Sequence, residues 1–164
     1  MFTYLDKFIK LAWGFTFLGF LIALSLSYAF VPPQVGVQAD LNGNPNQFIG
    51  KETFFYLALG LFVLVNVVCL VFYRVLEAVP VSSPLFFRSA LFKRRISNWF
   101  GTFTIVINIF LICIVSYISL FNNQGDYLIG QFNWIVWVGP LLSIGVFAWL
   151  LIILLSPKPI NTEG

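Results

Sequence analysis

The sequence predicts an all-α integral membrane protein, a four-helix bundle with both termini in the cytoplasm. Four apolar runs, each close to the ~20 residues that a helix needs to cross ~30 Å of hydrocarbon, alternate with short polar segments. The composition agrees, because 60% of the 164 residues are apolar and only 9% are charged, against about 25% charged in soluble domains. We therefore expect residues 1–164 to form a single four-span domain.

The basic residues set the predicted orientation. With both termini inside, Lys51 alone is extracytoplasmic and the other eight Lys and Arg residues are cytoplasmic, which is the bias described by the positive-inside rule. Those eight are Lys7, Lys10, Arg74, Arg88, Lys93, Arg94, Arg95 and Lys158. Because they flank spans, the net charge of +3 reflects topology, and no nucleic-acid partner is expected. The predicted location is the bacterial cytoplasmic (inner) membrane.

The first predicted span covers residues 11–30, and two consecutive prolines end it. This run is longer than the ~7–15 residues of a secretory signal, so we expect it to be retained. Gly19, Ala23 and Ser27 recur every four residues and put small side chains on one face. Small residues let another backbone approach closely, so this candidate packing face serves either the bundle itself or a different protein.

The second and third predicted spans, residues 53–74 and 98–121, each carry one asparagine inside an apolar run. At ~1.5 Å per residue, Asn66 lies ~12 Å and Asn108 ~15 Å from the cytoplasmic ends of their helices, so the two amides can meet. Such a pair either holds the spans together in lipid or lines a path for a polar substrate or ion. No charged residue lies in the interior of a span, where transport proteins place one.

The segment between these spans predicts a short helix at the membrane surface. Ser83 followed by Pro84 has the form of an N-cap and a first-turn proline, which favours a helix over residues 85–96. Basic residues within it either fix topology and meet anionic phospholipid headgroups or form a specific lipid or partner site. These residues are Lys93, Arg94 and Arg95.

The fourth predicted span covers residues 134–156, and Pro140 near its start predicts a kink at the outer end. The chain has no histidine, which excludes His-ligated haem and the commonest zinc sites. In the first outer loop, Asp40 opens a calcium-like D-x-N-x-N pattern, but Lys51 stands where the loop needs a glutamate. We therefore predict no catalytic residue, cofactor or metal, and no enzyme.

The first outer loop runs in the order Val31-Pro32-Pro33-Gln34-Val35-Gly36-Val37-Gln38-Ala39-Asp40-Leu41-Asn42-Gly43-Asn44-Pro45-Asn46-Gln47-Phe48-Ile49-Gly50-Lys51. This order resembles the loop of small bacterial multipass membrane proteins of a domain-of-unknown-function class, which is seen at the N-terminus of immunity proteins against a sporulation-delaying toxin. That family has Leu-Pro-x-x-hydrophobic-Pro, a His-centred segment, Gly-x-Pro-Asp and then Lys. The resemblance covers about residues 20–60, with Gln38 at the place of His and Asn46 at that of Asp, so it implies the shape of the loop and not a metal or proton role.

These observations predict a non-catalytic inner-membrane protein, an accessory or scaffold subunit of a larger membrane complex whose partners are other membrane subunits and anionic lipids. The alternative, which the resemblance implies, is an immunity or signalling protein that acts through residues 31–52. A third reading is a small transporter or lipid-handling protein. The candidate interaction residues of the loop are Gln38, Asp40, Asn42, Gly43, Pro45, Asn46 and Lys51.

Overall fold

The computed structural model describes residues 4–39, 45–80, 89–123 and 132–156. In chain order its elements are α1 (Tyr4–Phe30), β1 (Gln34–Ala39), β2 (Pro45–Gly50), α2 (Lys51–Ala78), α3 (Ala90–Asn122) and α4 (Ile135–Leu155). All four helices are long and apolar enough to cross a membrane, which confirms the prediction of four span-length helices. The all-α class was incomplete, because the first loop forms a two-stranded sheet.

The helices extend further than predicted at one end of the bundle. We call this the charged end, where α1 and α3 begin and α2 and α4 end, and we call the opposite end, with β1 and β2, the hairpin end. At the charged end α1 begins at Tyr4 instead of residue 11, and α2 continues to Ala78 instead of residue 74. Hydropathy identifies only the part of a helix that is apolar enough for hydrocarbon. The backbone hydrogen bonds of a helix continue beyond that part until a cap or a proline ends them. For α2 that proline is Pro80.

Helix α3 corrects the prediction of a separate surface helix over residues 85–96. Residues from Ala90 onward form the first turns of α3, so one continuous helix of 33 residues includes both this segment and the span. Ser89 is the N-cap, and its side chain accepts a hydrogen bond from the backbone N–H of Phe92 at 3.1 Å. The predicted cap at Ser83 and Pro84 lies outside the described residues.

Helix α3 is the centre of the bundle. The other three helices all pack against it, with α1 and α4 making the most extensive contacts. Helices α1 and α2 touch each other less, and no described element other than α3 packs extensively on α4. The arrangement is therefore three helices around α3, and not four helices with equivalent neighbours.

The contact between α4 and α3 is a narrow stripe. The buried residues of α4 are Gly139, Val146 and Ile153, which recur every seven residues and so share one side of the helix. Gly139 allows the close approach, because a Cβ at this position would overlap the ring of Phe110 in α3. The helix continues through Pro140, where the sequence predicts a kink, to its end at residue 155.

The hydrophobic core lies towards the hairpin end, between α1, α2, α3 and β1. Phe20 of α1 and Phe62 of α2 are fully buried, and their rings stack with centroids 3.9 Å apart. The other buried members of this cluster are Leu24, Val31, Val35, Phe54, Leu111 and Val115. Because Val35 belongs to β1, the hairpin is packed onto the helices and does not stand apart from them.

The strands β1 and β2 form an antiparallel hairpin in which Val35 lies opposite Ile49. Register shifts on both sides of Gln38 introduce bulges that break the usual alternation of faces. Val35 is consequently buried, whereas Val37, two residues further on, is 37% exposed. The first outer loop of the sequence therefore contains an ordered hairpin between α1 and α2.

The stripe on α4 yields a stability prediction. Gly139→Ala is expected to lower the free energy of unfolding in detergent by about 1–3 kcal/mol, because the added methyl group must displace the Phe110 ring. Gly145→Ala is the matched control, since a Cβ there meets nothing within 4 Å and alanine favours a helix. Thermal unfolding of both purified variants makes the comparison, and equal stability would contradict the close α3–α4 contact.

Candidate functional site

Two asparagines from different helices hydrogen-bond each other inside the bundle. Nδ2 of Asn66 in α2 donates to Oδ1 of Asn108 in α3 at 2.9 Å, and Nδ2 of Asn108 donates back to Oδ1 of Asn66 at 3.2 Å. Asn108 is fully buried and Asn66 is 7% exposed. The two residues that the sequence places at similar depth therefore form a reciprocal amide pair.

Helix α1 completes this polar network. Nε1 of Trp13 donates to Oδ1 of Asn66 at 3.0 Å, and Nδ2 of Asn108 donates to Oγ1 of Thr16 at 3.4 Å. Nδ2 of Asn66 also donates to the carbonyl of Phe62, one turn earlier in its own helix, at 3.0 Å. Each amide nitrogen thus has two acceptors, as its two hydrogens require. These contacts favour a structural role over a polar path, because the amides are engaged by the bundle itself.

The small-residue face of α1 is also used within the bundle. A Cβ on Gly19 would lie 3.4 Å from Cδ1 of Ile112 in α3. Oγ of Ser27 is buried and donates to the carbonyl of Val115, also in α3, at 3.4 Å. Ala23 lies between these positions and is half-buried. Gly19 and Ser27 of this face therefore pack on α3.

At the hairpin end, Asn122 fastens β1 to the last turn of α3. The backbone N–H of Gly36 donates to Oδ1 of Asn122 at 2.6 Å, and Nδ2 of Asn122 donates to the carbonyl of Gly36 at 2.9 Å. The side-chain amide thus engages both backbone groups of one strand residue, as a neighbouring strand does. Glycine is favoured at position 36 because a Cβ there would lie 2.6 Å from Cβ of Pro45 in β2.

The hairpin presents a polar surface with one large apolar side chain. Gln38 and Gln47 face each other across the strands and are exposed, as is Asn46. Phe48 is 50% exposed, and Pro45 is half-buried. Three further residues predicted for this surface lie outside the described residues: Asp40, Asn42 and Gly43.

Lys51 links the hairpin end of α2 to that of α1. Its Nζ lies 4.7 Å from the centroid of the Tyr28 ring, in a cation–π arrangement. Its backbone N–H donates to the carbonyl of Pro33 at 3.0 Å. The lysine predicted at the membrane interface therefore also positions the segment that enters β1.

The three basic residues predicted to meet headgroups have different surroundings. Nζ of Lys93 donates to the carbonyl of Glu77 at 2.8 Å, in the last turn of α2, where a positive charge opposes the helix dipole favourably. Nε of Arg94 lies 3.6 Å from Oδ1 of Asp6 in α1. Arg95 is exposed. Lys93 and Arg94 thus join helices at the charged end, while Arg95 faces outwards.

Sequence reasoning predicted no hydrogen-bond role for Trp13, Thr16 or Asn122. The first two lie at the charged half of α1 with no pattern that marks them as partners of a distant amide. Asn122 has an identical neighbour, Asn123, whose Nδ2 donates within α3, to the carbonyl of Ser119 at 2.8 Å. Which of two adjacent asparagines reaches the hairpin depends on the rotation of α3, and the sequence does not contain that rotation.

Comparison of the chain with known protein families, curated proteins and solved structures finds no match. The resemblance of residues 20–60 to the toxin-immunity class therefore stays a hypothesis based on the loop pattern.

The amide pair predicts energetic coupling between α2 and α3. Asn108→Leu is expected to destabilise the protein, because it removes one acceptor for Nδ2 of the buried Asn66 and one donor to its Oδ1. Asn66→Leu with Asn108→Leu is expected to cost less than the sum of the single changes, with a coupling of about 0.6–1.7 kcal/mol. Unfolding in mixed detergent micelles measures this cycle. The pair of distant changes Asn66→Leu and Ser25→Ala is the control, and its effects on the free energy of unfolding are expected to add. Equally additive effects for Asn66→Leu and Asn108→Leu would contradict the amide pair.

The hairpin attachment predicts a local change in protection. Asn122→Ala is expected to speed hydrogen exchange at the Gly36 amide and its neighbours in β1, because both bonds from the side chain are lost. Asn123→Ala is the matched control, since within the described residues its side chain bonds to Ser119 of α3 and not to β1. Hydrogen–deuterium exchange with mass spectrometry of residues 34–39 compares them. Equal exchange in the two variants would show that the Asn122 side chain does not order β1.

Proposed function

We propose that the protein is a non-catalytic, multipass subunit of the bacterial cytoplasmic membrane that presents its hairpin on the extracytoplasmic side as a contact surface for a larger membrane complex. The attachment of Gly36 to Asn122 is the observation that carries this proposal. A loop that only connects two spans needs no fixed shape. Here two backbone groups of β1 are held by a side chain of α3, and Val35 is inserted into the core, so the chain fixes the surface that it displays.

The charges support the proposed orientation. In the described residues, Lys7, Lys10 and Lys93 to Arg95 lie at the charged end, whereas Lys51 lies at the hairpin end. Basic residues favour the cytoplasmic side, so the hairpin end is the extracytoplasmic one. The side-chain amides of Asn66 and Asn108 hydrogen-bond to each other and to side chains of α1, which supports a structural role for the helices.

The second candidate is an immunity or signalling function, and one feature of the sheet favours it. The outer edge of β1 is occupied at Gly36 by the Asn122 amide. In the described part of the chain the sheet has two strands, so no third strand lies along the outer edge of β2. An extended peptide can add to such an edge through backbone hydrogen bonds. The exposed Phe48 lies on that strand and offers an apolar contact to the peptide.

A photo-crosslinking amino acid at Phe48 tests the contact in native membranes. We expect one discrete adduct, identified by mass spectrometry, that persists with Asn123→Ala and is lost or at least about tenfold weaker with Asn122→Ala. The physical reason is that the Asn122 side chain bonds both backbone groups of Gly36 in β1, whereas that of Asn123 bonds to Ser119 in α3. A membrane-protein adduct supports the subunit, and a secreted-peptide adduct supports the second candidate.

Two outcomes would contradict the proposal. One is the absence of any adduct at Phe48 in cells that express the protein at its native level. The other concerns the side of the membrane that a thiol reagent reaches. In a background with Cys69→Ala and Cys113→Ala, a membrane-impermeant thiol reagent added to intact spheroplasts is expected to modify Phe48→Cys and not Arg95→Cys. Reversed labelling would place the hairpin in the cytoplasm.

A further inference from the structure

The register of the hairpin identifies which backbone groups of each strand point away from the other strand. In an antiparallel ladder, hydrogen-bonded residue pairs alternate with pairs whose N–H and C=O groups point away from each other. The backbone N–H of Lys51 donates to the carbonyl of Pro33 at 3.0 Å, so these two residues form a hydrogen-bonded pair. Two residues further along each strand, Val35 and Ile49 lie opposite each other and form the next one.

The pairs in between direct their backbone groups to the two outer edges of the sheet. Gly36 lies opposite Phe48, and Gln34 lies opposite Gly50. The contacts of Gly36 agree with this alternation, because its N–H and C=O both bond to the Asn122 side chain on the outer edge of β1. The N–H and C=O of Phe48 and the N–H of Gly50 consequently point to the outer edge of β2.

This edge of β2 is short and fixed in position. The register shifts of the hairpin precede residue 48 at one end, and α2 begins at Lys51 at the other, so residues 48–50 remain for pairing with another chain. Ile49 packs on the hydrophobic core, and the Phe48 side chain, which is 50% exposed, lies on the opposite face of the sheet. The backbone groups are therefore held in an extended arrangement before any partner binds, which lowers the cost of binding.

The number of outward groups decides which kind of polypeptide suits the edge. Three backbone hydrogen bonds, each worth about a factor of five to ten, give at best an affinity on the order of millimolar. A secreted peptide at a lower concentration would leave most edges unpaired. A segment carried by a membrane protein that already packs beside the chain has an effective concentration on the order of millimolar, so the edge suits a tethered segment.

We propose that a short extended segment of a different membrane protein adds to β2 as a third strand on the extracytoplasmic side. Two carbonyls of this segment accept from the N–H groups of Phe48 and Gly50, and one of its N–H groups donates to the carbonyl of Phe48. The residue that supplies this N–H is not proline. The inference rests on the proposed function, which makes the hairpin a contact surface, and it specifies how that contact is made.

Two substitutions at Gly50 separate the backbone donor from the shape of the residue. Gly50 has φ −63° and ψ 147°, which suit proline, so Gly50→Pro removes one outward N–H and leaves the bonds between β1 and β2. Gly50→Ala is the matched control, because it adds a Cβ and keeps the N–H. The nearest atom to that Cβ is Oγ1 of Thr53, at 3.6 Å. Both variants are expected to keep the hairpin, which hydrogen exchange of residues 34–39 checks.

The photo-crosslinking amino acid at Phe48 measures the contact of both variants in native membranes. The adduct with a different membrane protein is expected to be about five- to tenfold weaker with Gly50→Pro than with Gly50→Ala, which corresponds to the loss of one backbone hydrogen bond. Equal adducts in the two variants would overturn strand addition and leave the proposed contact surface intact. An adduct with a secreted peptide or with a second copy of this chain would overturn the assigned partner. The absence of any adduct would overturn both proposals.

Hydrogen exchange at single-residue resolution gives a second measurement. In the purified chain the amides of Phe48 and Gly50 are expected to exchange quickly and that of Ile49 slowly, because only Ile49 bonds to β1. In the complex isolated from native membranes in mild detergent, the Phe48 and Gly50 amides are expected to exchange at least about tenfold more slowly. Equal exchange at residues 48–50 in the purified chain, or no slowing in the complex, would overturn the proposal.

Discussion

Polar and small side chains on the inner surface of α3 are the constraint on which the rest of the structure depends. Between apolar helices in hydrocarbon, burial of apolar surface gives little drive for association, and close packing and interhelical hydrogen bonds must hold helices together. Helix α3 supplies both. Its buried residues include Asn98, Gly101, Thr104 and Asn108. Asn108 bonds to both α1 and α2, whereas α4 packs with Gly139 against Phe110 of α3.

The length of α3 connects the two ends of the molecule. Arg94 in its first turns meets α1, Asn108 near its middle meets α1 and α2, and Asn122 at its end holds β1. One rigid element therefore positions the charged end and the hairpin, because Arg94 and Asn122 are 28 residues and ~42 Å apart at the rise of a helix. The two polar ends of the protein are thus fixed relative to each other by the helix that also organises its core.

The pattern of the sequence predicts the helices better than their ends or their contacts. The apolar runs locate all four helices, and the proline pair after Phe30 locates the end of α1 to the residue. The charged first turns of α3 do not resemble a span, so they were assigned to a separate surface helix. The hairpin was missed because its alternation is short and interrupted by bulges around Gln38, and its order comes partly from Asn122, which is 86 residues away from Gly36.

The sequence by itself determined the number of helices, their approximate spans and the depth at which Asn66 and Asn108 lie, because these follow from local hydropathy and from the fixed rise of a helix. Only the tertiary structure decided that α3 is central, that Asn122 rather than Asn123 holds the hairpin, and that Arg94 and Lys93 of α3 reach α1 and α2. These features depend on how each helix is rotated about its axis and which neighbour it meets. That rotation is set by the fit of side chains across helices, such as Phe110 against Gly139, and no single segment encodes it.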